Sequence, residues 1–297
     1  MYKQIAANKR KTFLIMFLFL VVIGIIAYVY SLYLGSLASF YVIFAFAIFY
    51  TFISYFVSSK VALGLSSAKQ IQKSDNPRLY RIVENLAITT GMPMPKVYII
   101  NDPAPNAMAT GRDPKHASVA ATTGILELLD DSELEGVMAH EIGHIQNYDI
   151  RVMMIVFACV SVIGLLSDML LRFMIFGDDD DRGSPAVLLA LALSILAPLS
   201  ASLVQLAVSR RREYLADATG ALTTRYPEGL ASALEKISQY SRPMKRANSS
   251  TAHLFFDNPM SATNKKDSKP FAGLFSTHPP VQDRIARLRN INEVNNG

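Results

Sequence analysis

The segment 140–144, which reads His-Glu-Ile-Gly-His, contains the residues best suited to metal chemistry. In a helix, four residues turn the chain by about 400°, so His140 and His144 share one face about 6 Å apart along the axis. Two imidazoles at that spacing can bind one Zn²⁺ at about 2.0–2.1 Å each. Glu141 lies one step around the helix, where its carboxylate can reach a water on the metal. The pattern therefore predicts a zinc site with Glu141 as general base.

A catalytic zinc site needs a third protein ligand and leaves its fourth position open for water. A nearby third ligand of the kind that has Gly at position 147 and His at 150 is excluded, because the chain has Asn147 and Ile150 there. Glu213 and Asp217 lie four residues apart, on one face of a predicted helix. One carboxylate would bind zinc and the other would accept the N–H of a ligating histidine. The competing interpretation is that Glu213 only balances the basic run 210–212.

The zinc motif is predicted to lie on a helix that ends near Asn147. Its start is ambiguous by one turn, because two capping boxes fit the sequence. They pair Asp130 with Glu133 and Ser132 with Glu135. The sequence predicts further helices at 79–90, 210–221 and 281–290. A β-branched run predicts a strand at 96–100, and 106–110 and 117–123 are two further strand candidates separated by turn residues.

Long apolar blocks make the chain too hydrophobic for an ordinary soluble protein, with 51% hydrophobic residues among 297. They predict four membrane spans, near 13–33, 37–57, 152–176 and 186–208. Lys and Arg precede the first span and follow the second and fourth, whereas the connection between the third and fourth is mostly acidic. The positive-inside rule then places both termini and the segment between spans two and three in the cytoplasm. A signal peptide is disfavoured, since the first apolar block is too long and another follows at once.

The chain is predicted to divide into two membrane hairpins and two cytoplasmic parts of one catalytic domain. The first hairpin is 1–59, the part with the zinc helix is 60–151, the second hairpin is 152–208, and the part with the third ligand is 209–297. The predicted fold class is a mainly α membrane protein with four transmembrane helices and a cytoplasmic α+β zinc-peptidase domain with a small sheet. The fourth span is predicted to continue without a break into the helix that contains Glu213.

Charge and cysteine content exclude several kinds of protein. The net charge of +5 comes from basic residues beside the spans, where anionic lipid headgroups account for them, so no nucleic-acid partner is expected. Cys159 is the only cysteine, which excludes an intrachain disulfide and a cysteine-rich zinc site. Its place in the third span favours a packing role. Asp168 in the same span is expected to pair with Arg172.

The order of these motifs resembles that of the HtpX family of membrane zinc metallopeptidases. After the segment 140–144 and two apolar spans, the matching motifs are Glu213-x-x-x-Asp217 and His278-Pro279-Pro280-x-x-x-Arg284. The resemblance covers nearly the whole chain, although 241–275 matches only loosely. It implies a zinc endopeptidase of the cytoplasmic membrane, with one Zn²⁺ per chain, that helps to clear misfolded membrane proteins under stress.

The resemblance also implies a role for each matching residue. His140, His144 and Glu213 would bind zinc. Glu141 would take a proton from the attacking water and pass it to the leaving amine, and Asp217 would orient a ligand.

A tetrahedral intermediate also needs a hydrogen-bond donor besides the metal. His278 is the first candidate, followed by Arg284. The competing interpretation is that His278 belongs to a simple turn and that Arg284 bridges to a carboxylate. The remaining histidines, His116 and His253, are expected on the surface or in loops, and 241–275 is predicted to be a loop.

The strand 106–110 is a candidate for binding an extended substrate by β-pairing. The residues that would line it are Asn106, Ala107, Ala109 and Thr110. An ordinary sheet strand is the alternative.

The alternative function is a non-catalytic four-span scaffold or transporter whose cytoplasmic domain holds a structural metal or none. Transporters usually have polar residues or broken helices in several spans, and structural zinc sites usually have four ligands, often cysteines. The sequence lacks both patterns, so a peptidase is favoured. The expected partners are protein or peptide substrates and the lipid bilayer, and the sequence predicts no oligomeric state.

Overall fold

The computed structural model is mainly helical with one small sheet, and it describes residues 2–33, 35–176, 198, 202–203, 209–240, 243–246, 251–260 and 279–295. Its helices are α1 (Tyr2–Tyr33), α2 (Leu37–Leu65), α3 (Pro77–Thr90), α4 (Thr123–Leu128), α5 (Asp131–Gln146), α6 (Asp149–Phe176), α7 (Arg210–Thr224), α8 (Pro227–Ser238) and α9 (Val281–Asn295). Its strands are β1 (Lys69–Gln70), β2 (Lys96–Ile100), β3 (Ala107–Gly111) and β4 (Ala117–Thr122).

Two of the described helices are long and apolar enough to cross a membrane, over Ala6–Tyr28 and Leu37–Leu65. Both overlap the predicted first two spans, but α2 continues past the predicted end at 57. Many large apolar side chains on these helices are exposed, including Phe13, Phe17 and Phe49. Such a surface suits lipid better than water.

The predicted third span corresponds to α6, which begins three residues earlier than expected. With α5 it forms a pair bent by 76°, which would make a third candidate span if the pair is one span. Apolar side chains of α6 pack against α1, and Cys159 is buried among them. The side chain of Arg172 and the predicted fourth span, except for 198 and 202–203, lie outside the described residues.

The sheet has the order β1-β2-β4-β3, in which only β2 and β4 are parallel. The prediction of β2, β3 and β4 is accurate to one residue at each end. The strand β1 was missed because its two exposed residues have no periodic pattern. The edges of the described sheet are therefore β1 and β3.

The zinc helix α5 lies at the centre of the domain, between the sheet and the helices α3, α7 and α8. Asp130 and Glu133 form its capping box, which decides between the two predicted starts. A methyl group on Gly220 of α7 would lie 3.0 Å from the backbone nitrogen of His140. This glycine therefore lets α7 approach α5 closely enough for carboxylates on α7 to reach the zinc motif.

The helical conformation of the backbone is interrupted at two places, between α5 and α6 and directly before α7. Between α5 and α6 the chain turns at Tyr148, whose φ of 59° is in the left-handed region. Ser209 has extended backbone angles, φ −147° and ψ 116°, immediately before α7. The predicted unbroken continuation from the fourth span into this helix is therefore wrong.

Candidate metal centre

Three side chains from two helices converge at the centre of the domain. His140 and His144 lie on consecutive turns of α5, with their Nε2 atoms 3.1 Å apart. From α7, Glu213 places one carboxylate oxygen 3.8 Å from His140 Nε2 and the other 3.6 Å from His144 Nε2. The three side chains are buried.

This arrangement fits a zinc ion. Atoms about 2.0–2.1 Å from a tetrahedral zinc lie about 3.3 Å from one another. The separations of 3.1, 3.6 and 3.8 Å lie on both sides of that value. Two imidazole nitrogens and one carboxylate are also a usual donor set for catalytic zinc, and they leave the fourth position for water.

A carboxylate orients the ring of His140. Asp217, one turn after Glu213 on α7, has its Oδ1 2.9 Å from His140 Nδ1. Because a carboxylate only accepts hydrogen bonds, Nδ1 carries the proton and Nε2 keeps a lone pair for a metal. Burial lowers the pKa of His140 to about 4, although Asp217 opposes this shift. The ring is therefore neutral at physiological pH.

Arg284 of α9 holds Asp217 in place. Its Nε donates to Asp217 Oδ2 at 2.9 Å and its Nη2 donates to Oδ1 at 2.6 Å. Burial by itself would raise the pKa of Asp217, but the charge of Arg284 and hydrogen bonds from His140 and Arg284 lower it to about 2. The guanidinium thus bridges to a carboxylate, which was the competing interpretation of Arg284.

His144 has a corresponding partner that the sequence analysis missed. Asp149, the first residue of α6, places Oδ2 3.0 Å from His144 Nδ1. Burial lowers the pKa of His144, but the bond to Asp149 and the charges of Glu213 and Asp149 outweigh burial and raise it to about 9. In the metal-free chain His144 is therefore a cation, protonated on both ring nitrogens. A bound metal must displace the proton on Nε2.

Glu141 is buried and lines the same small cavity as the three proposed ligands. Ala109 of β3 and Met153 of α6 close two sides of this cavity. A carboxylate in this position would be able to accept a proton from a water bound to the metal.

His253 also lines this cavity, so it lies in a loop, one of the two expected places, but not on the surface. It lies in a 3₁₀ turn, Ala252–Leu254, and is 2% exposed. Its Nε2 is 3.4 Å from the carbonyl oxygen of Met153, to which it must donate, and burial lowers its pKa to about 4. The available signal was the apolar run 252–256 inside a polar segment, since such a run in a loop tends to be buried. His116, by contrast, is exposed as expected.

Residues 251–257, here called the covering segment, lie along the free edge of β3. The backbone N–H of Phe256 donates to the carbonyl oxygen of Ala107 at 2.8 Å, and Phe255 pairs antiparallel with Met108. The ring of Phe256 meets the ring of His140 edge to face, with centroids 5.1 Å apart. The covering segment therefore shields the candidate metal centre.

Two of the predicted substrate-binding residues, Asn106 and Ala107, form hydrogen bonds with this segment. The side chain of Asn106 donates to the carbonyl oxygen of Asp257 at 2.8 Å and accepts from its N–H at 3.1 Å. The four predicted residues, Asn106, Ala107, Ala109 and Thr110, are all buried. An extended substrate would have to replace the covering segment at this edge.

His278 lies outside the described residues. The structure thus brings together the candidates at positions 140, 141, 144, 213, 217 and 284, with 106–110 on one side of them.

Comparisons with known proteins agree with this geometry. The model of peptidase family M48 matches residues 73–292. A protease HtpX homolog of Tropheryma whipplei is 56% identical over 293 residues, covering 98% of each chain. Another, of Dictyoglomus thermophilum, is 45% identical over 300 residues, covering 98% of this chain and 95% of that one. The crystal structure of S. mikatae Ste24p shares the fold, with a TM-score of 0.52 at 19% identity, covering 97% of this chain and 67% of that one.

These matches do not support the alternative of a non-catalytic scaffold or transporter. Both relatives are named proteases, and each matches this chain over nearly its full length. The family match includes both helices of the candidate metal centre. The chain therefore belongs to peptidase family M48, as an HtpX-like membrane metalloprotease.

Proposed function

We propose that the protein is a zinc-dependent endopeptidase with one Zn²⁺ per chain, bound by His140, His144 and Glu213. The observation that carries this proposal is the convergence of these three side chains at 3.1–3.8 Å, with Glu141 in the same buried cavity. Nitrogen and oxygen donors of this kind favour zinc among the common biological divalent metals that act as Lewis acids.

Bound zinc supplies a Lewis acid that polarises the peptide carbonyl and lowers the pKa of a water towards 7. Glu141 accepts a proton from the attacking water and donates it to the amine that leaves. Asp217 and Asp149 fix the two imidazole rings, so that each Nε2 faces the metal position. The covering segment and α6 limit the entry of bulk water, which strengthens the electrostatic interactions within the site.

His278 is the proposed hydrogen-bond donor to the oxyanion. It directly precedes the buried Pro279 and lies six residues before Arg284, which forms the ion pair with Asp217 behind His140. Arg284 is instead proposed as a positioning residue, since its Nε and Nη2 donate to Asp217.

The substrates that fit this architecture are extended polypeptide segments reached from the membrane surface, such as those of misfolded membrane proteins. Backbone pairing with β3 would align the scissile bond beside the metal, and the residues in contact would be Asn106, Ala107, Ala109 and Thr110. The substrate would take the position that the covering segment holds in this structure.

The proposed membrane arrangement has four spans, with both termini and the catalytic domain in the cytoplasm. It is supported by the helices α1, α2 and α6, by the apolar block 186–208 and by the positions of Lys and Arg beside the spans. The hairpins 1–59 and 152–208 then flank the two catalytic parts, 60–151 and 209–297.

The test is cleavage of an unfolded model protein by the full, detergent-purified, zinc-loaded chain, beside Glu141→Gln. The variant should keep one zinc per chain, because Glu141 is not a proposed ligand, and should lose cleavage by at least about 100-fold. Glu135→Gln, on the same helix but away from the cavity, is the matched control and should cleave normally. Equal cleavage by wild type and Glu141→Gln would overturn the proposed mechanism.

A further inference from the structure

A chain of buried hydrogen bonds connects the first membrane helix to the candidate metal centre. Asn8 of α1 is 3% exposed, and its Nδ2 donates to Asp149 Oδ1 at 2.7 Å. The other oxygen of Asp149 accepts from His144 Nδ1 at 3.0 Å. One amide group on α1 is therefore separated from a proposed zinc ligand by a single carboxylate.

The second hydrogen bond of Asn8 ends at the corner between α5 and α6. Nδ2 also donates to the carbonyl oxygen of Asn147 at 2.8 Å. This carbonyl lies at the C-terminal end of α5, where backbone acceptors lack partners within the helix. Both acceptors face the amide, so the side chain must present its NH₂ group, which has the two donors required. Asn8 thus fixes the corner and the carboxylate together.

Asp149 depends on these partners because it is completely buried. A buried carboxylate is costly unless hydrogen bonds or a paired charge compensate for its lost hydration. Two cationic side chains act on it from this side. Arg212 has its Nε 3.8 Å from Oδ1, which is too far for a hydrogen bond, and Lys11 of α1 interacts with Asp149 through its charge. The amide of Asn8 is therefore the close donor to Oδ1, as His144 is to Oδ2.

We propose that Asn8 is a positioning residue for the metal centre, acting through Asp149 on His144. By holding Asp149, the first membrane helix keeps the ring of His144 in the orientation that directs Nε2 to the metal. The catalytic domain would then bind zinc tightly only when α1 is in place. This inference rests on the proposed zinc site.

The test is zinc retention by the full-length, detergent-purified chain against a competing chelator. Asn8→Ala and the nearly isosteric Asn8→Leu should each weaken zinc binding by about 10-fold or more, as loss of an outer-sphere partner usually does. Thr12→Val is the matched control. Thr12 is one turn further along α1 and buried, and its hydroxyl has no hydrogen-bond partner in the described part of the chain. Its variant should bind zinc within about 2-fold of wild type.

A double-variant cycle separates positioning from general damage. If Asn8 acts through Asp149, adding Asn8→Ala to Asp149→Ala should weaken zinc binding little further. Thermal unfolding of the zinc-free variants shows whether the fold itself is retained. Retention equal to that of Thr12→Val, or losses that multiply in the double variant, would overturn the inference. A wild-type chain that does not bind one zinc would instead overturn the proposed function.

Discussion

Arg284 carries a positive charge in the interior of the protein. It is 1% exposed and forms two hydrogen bonds with the carboxylate of Asp217. A buried ion pair is balanced only while both partners are present, because removal of one leaves the other charge without compensation. The pair lies directly behind His140, so its loss affects both the fold and the metal centre.

Arg284→Met is expected to lower the free energy of unfolding by about 3–5 kcal/mol, since Asp217 would remain as an unpaired buried carboxylate. Chemical denaturation of the zinc-free chain in detergent measures this. The matched control is Arg287→Met, three residues later on α9. Arg287 is exposed and lies 4.0 Å above the ring of Tyr214, a contact that contributes about 0.5–1 kcal/mol. Equal losses for the two variants would contradict this account of Arg284.

Among the elements, β3 is the one proposed to bind the substrate. Its partner within the sheet is β4, and its other edge is occupied by the covering segment. The hydrogen bond from Phe256 N–H to the carbonyl oxygen of Ala107 makes Met108 and Phe255 a non-hydrogen-bonded antiparallel pair. The Cα atoms of such pairs are about 4.5 Å apart, which is compatible with a disulfide.

A disulfide between Met108→Cys and Phe255→Cys, in a Cys159→Ala background, should lock the covering segment onto β3. The oxidised chain is expected to keep its zinc and to lose cleavage of an unfolded protein by at least about 10-fold, because the substrate could not replace the segment. The reduced form of the same variant is the control and should regain activity. Unchanged cleavage after oxidation would mean that substrates reach the centre without displacing this segment.

At the scale of the whole molecule, the candidate metal centre lies next to the membrane helices. The core around Met153 and Met154 of α6 includes Leu63 of α2 and Met108 of β3. Membrane helices and catalytic domain are thus packed as one structure, and α1 reaches the centre through Asn8.

Cysteine labelling tests the proposed orientation, since Cys159 is the only native cysteine and is replaced by alanine. Ser36→Cys lies in the exposed turn between α1 and α2 and should react with a membrane-impermeant maleimide in intact cells. Asp180→Cys, in the acidic connection, should react likewise. Lys73→Cys, exposed before α3, should react only after the cells are permeabilised. Labelling of Lys73→Cys in intact cells would show that the orientation is the reverse of the proposed one.

Local patterns were enough to predict much of this protein. Long apolar blocks predicted the membrane helices. A helix that crosses a bilayer needs a minimum length and an apolar composition, and both can be read directly from the sequence. The spacings of His140 with His144 and of Glu213 with Asp217 placed each pair on one helical face, since helix geometry depends only on separation along the chain. The strand β2 was predicted from its β-branched residues, and β3 and β4 were predicted as two strands separated by the turn residues 111–114.

Tertiary structure decided which of these faces meet and what lies between them. The hydrogen bonds of Asn8 span 139 and 141 residues, and His253 approaches Met153 across 100. Such contacts leave no periodic trace in one sequence, because they depend on the break at Tyr148 and on the close approach of helices at Gly220. The sequence by itself therefore determined the chemical groups and their helices. Only the packing of distant segments decided how those groups are oriented, buried and covered.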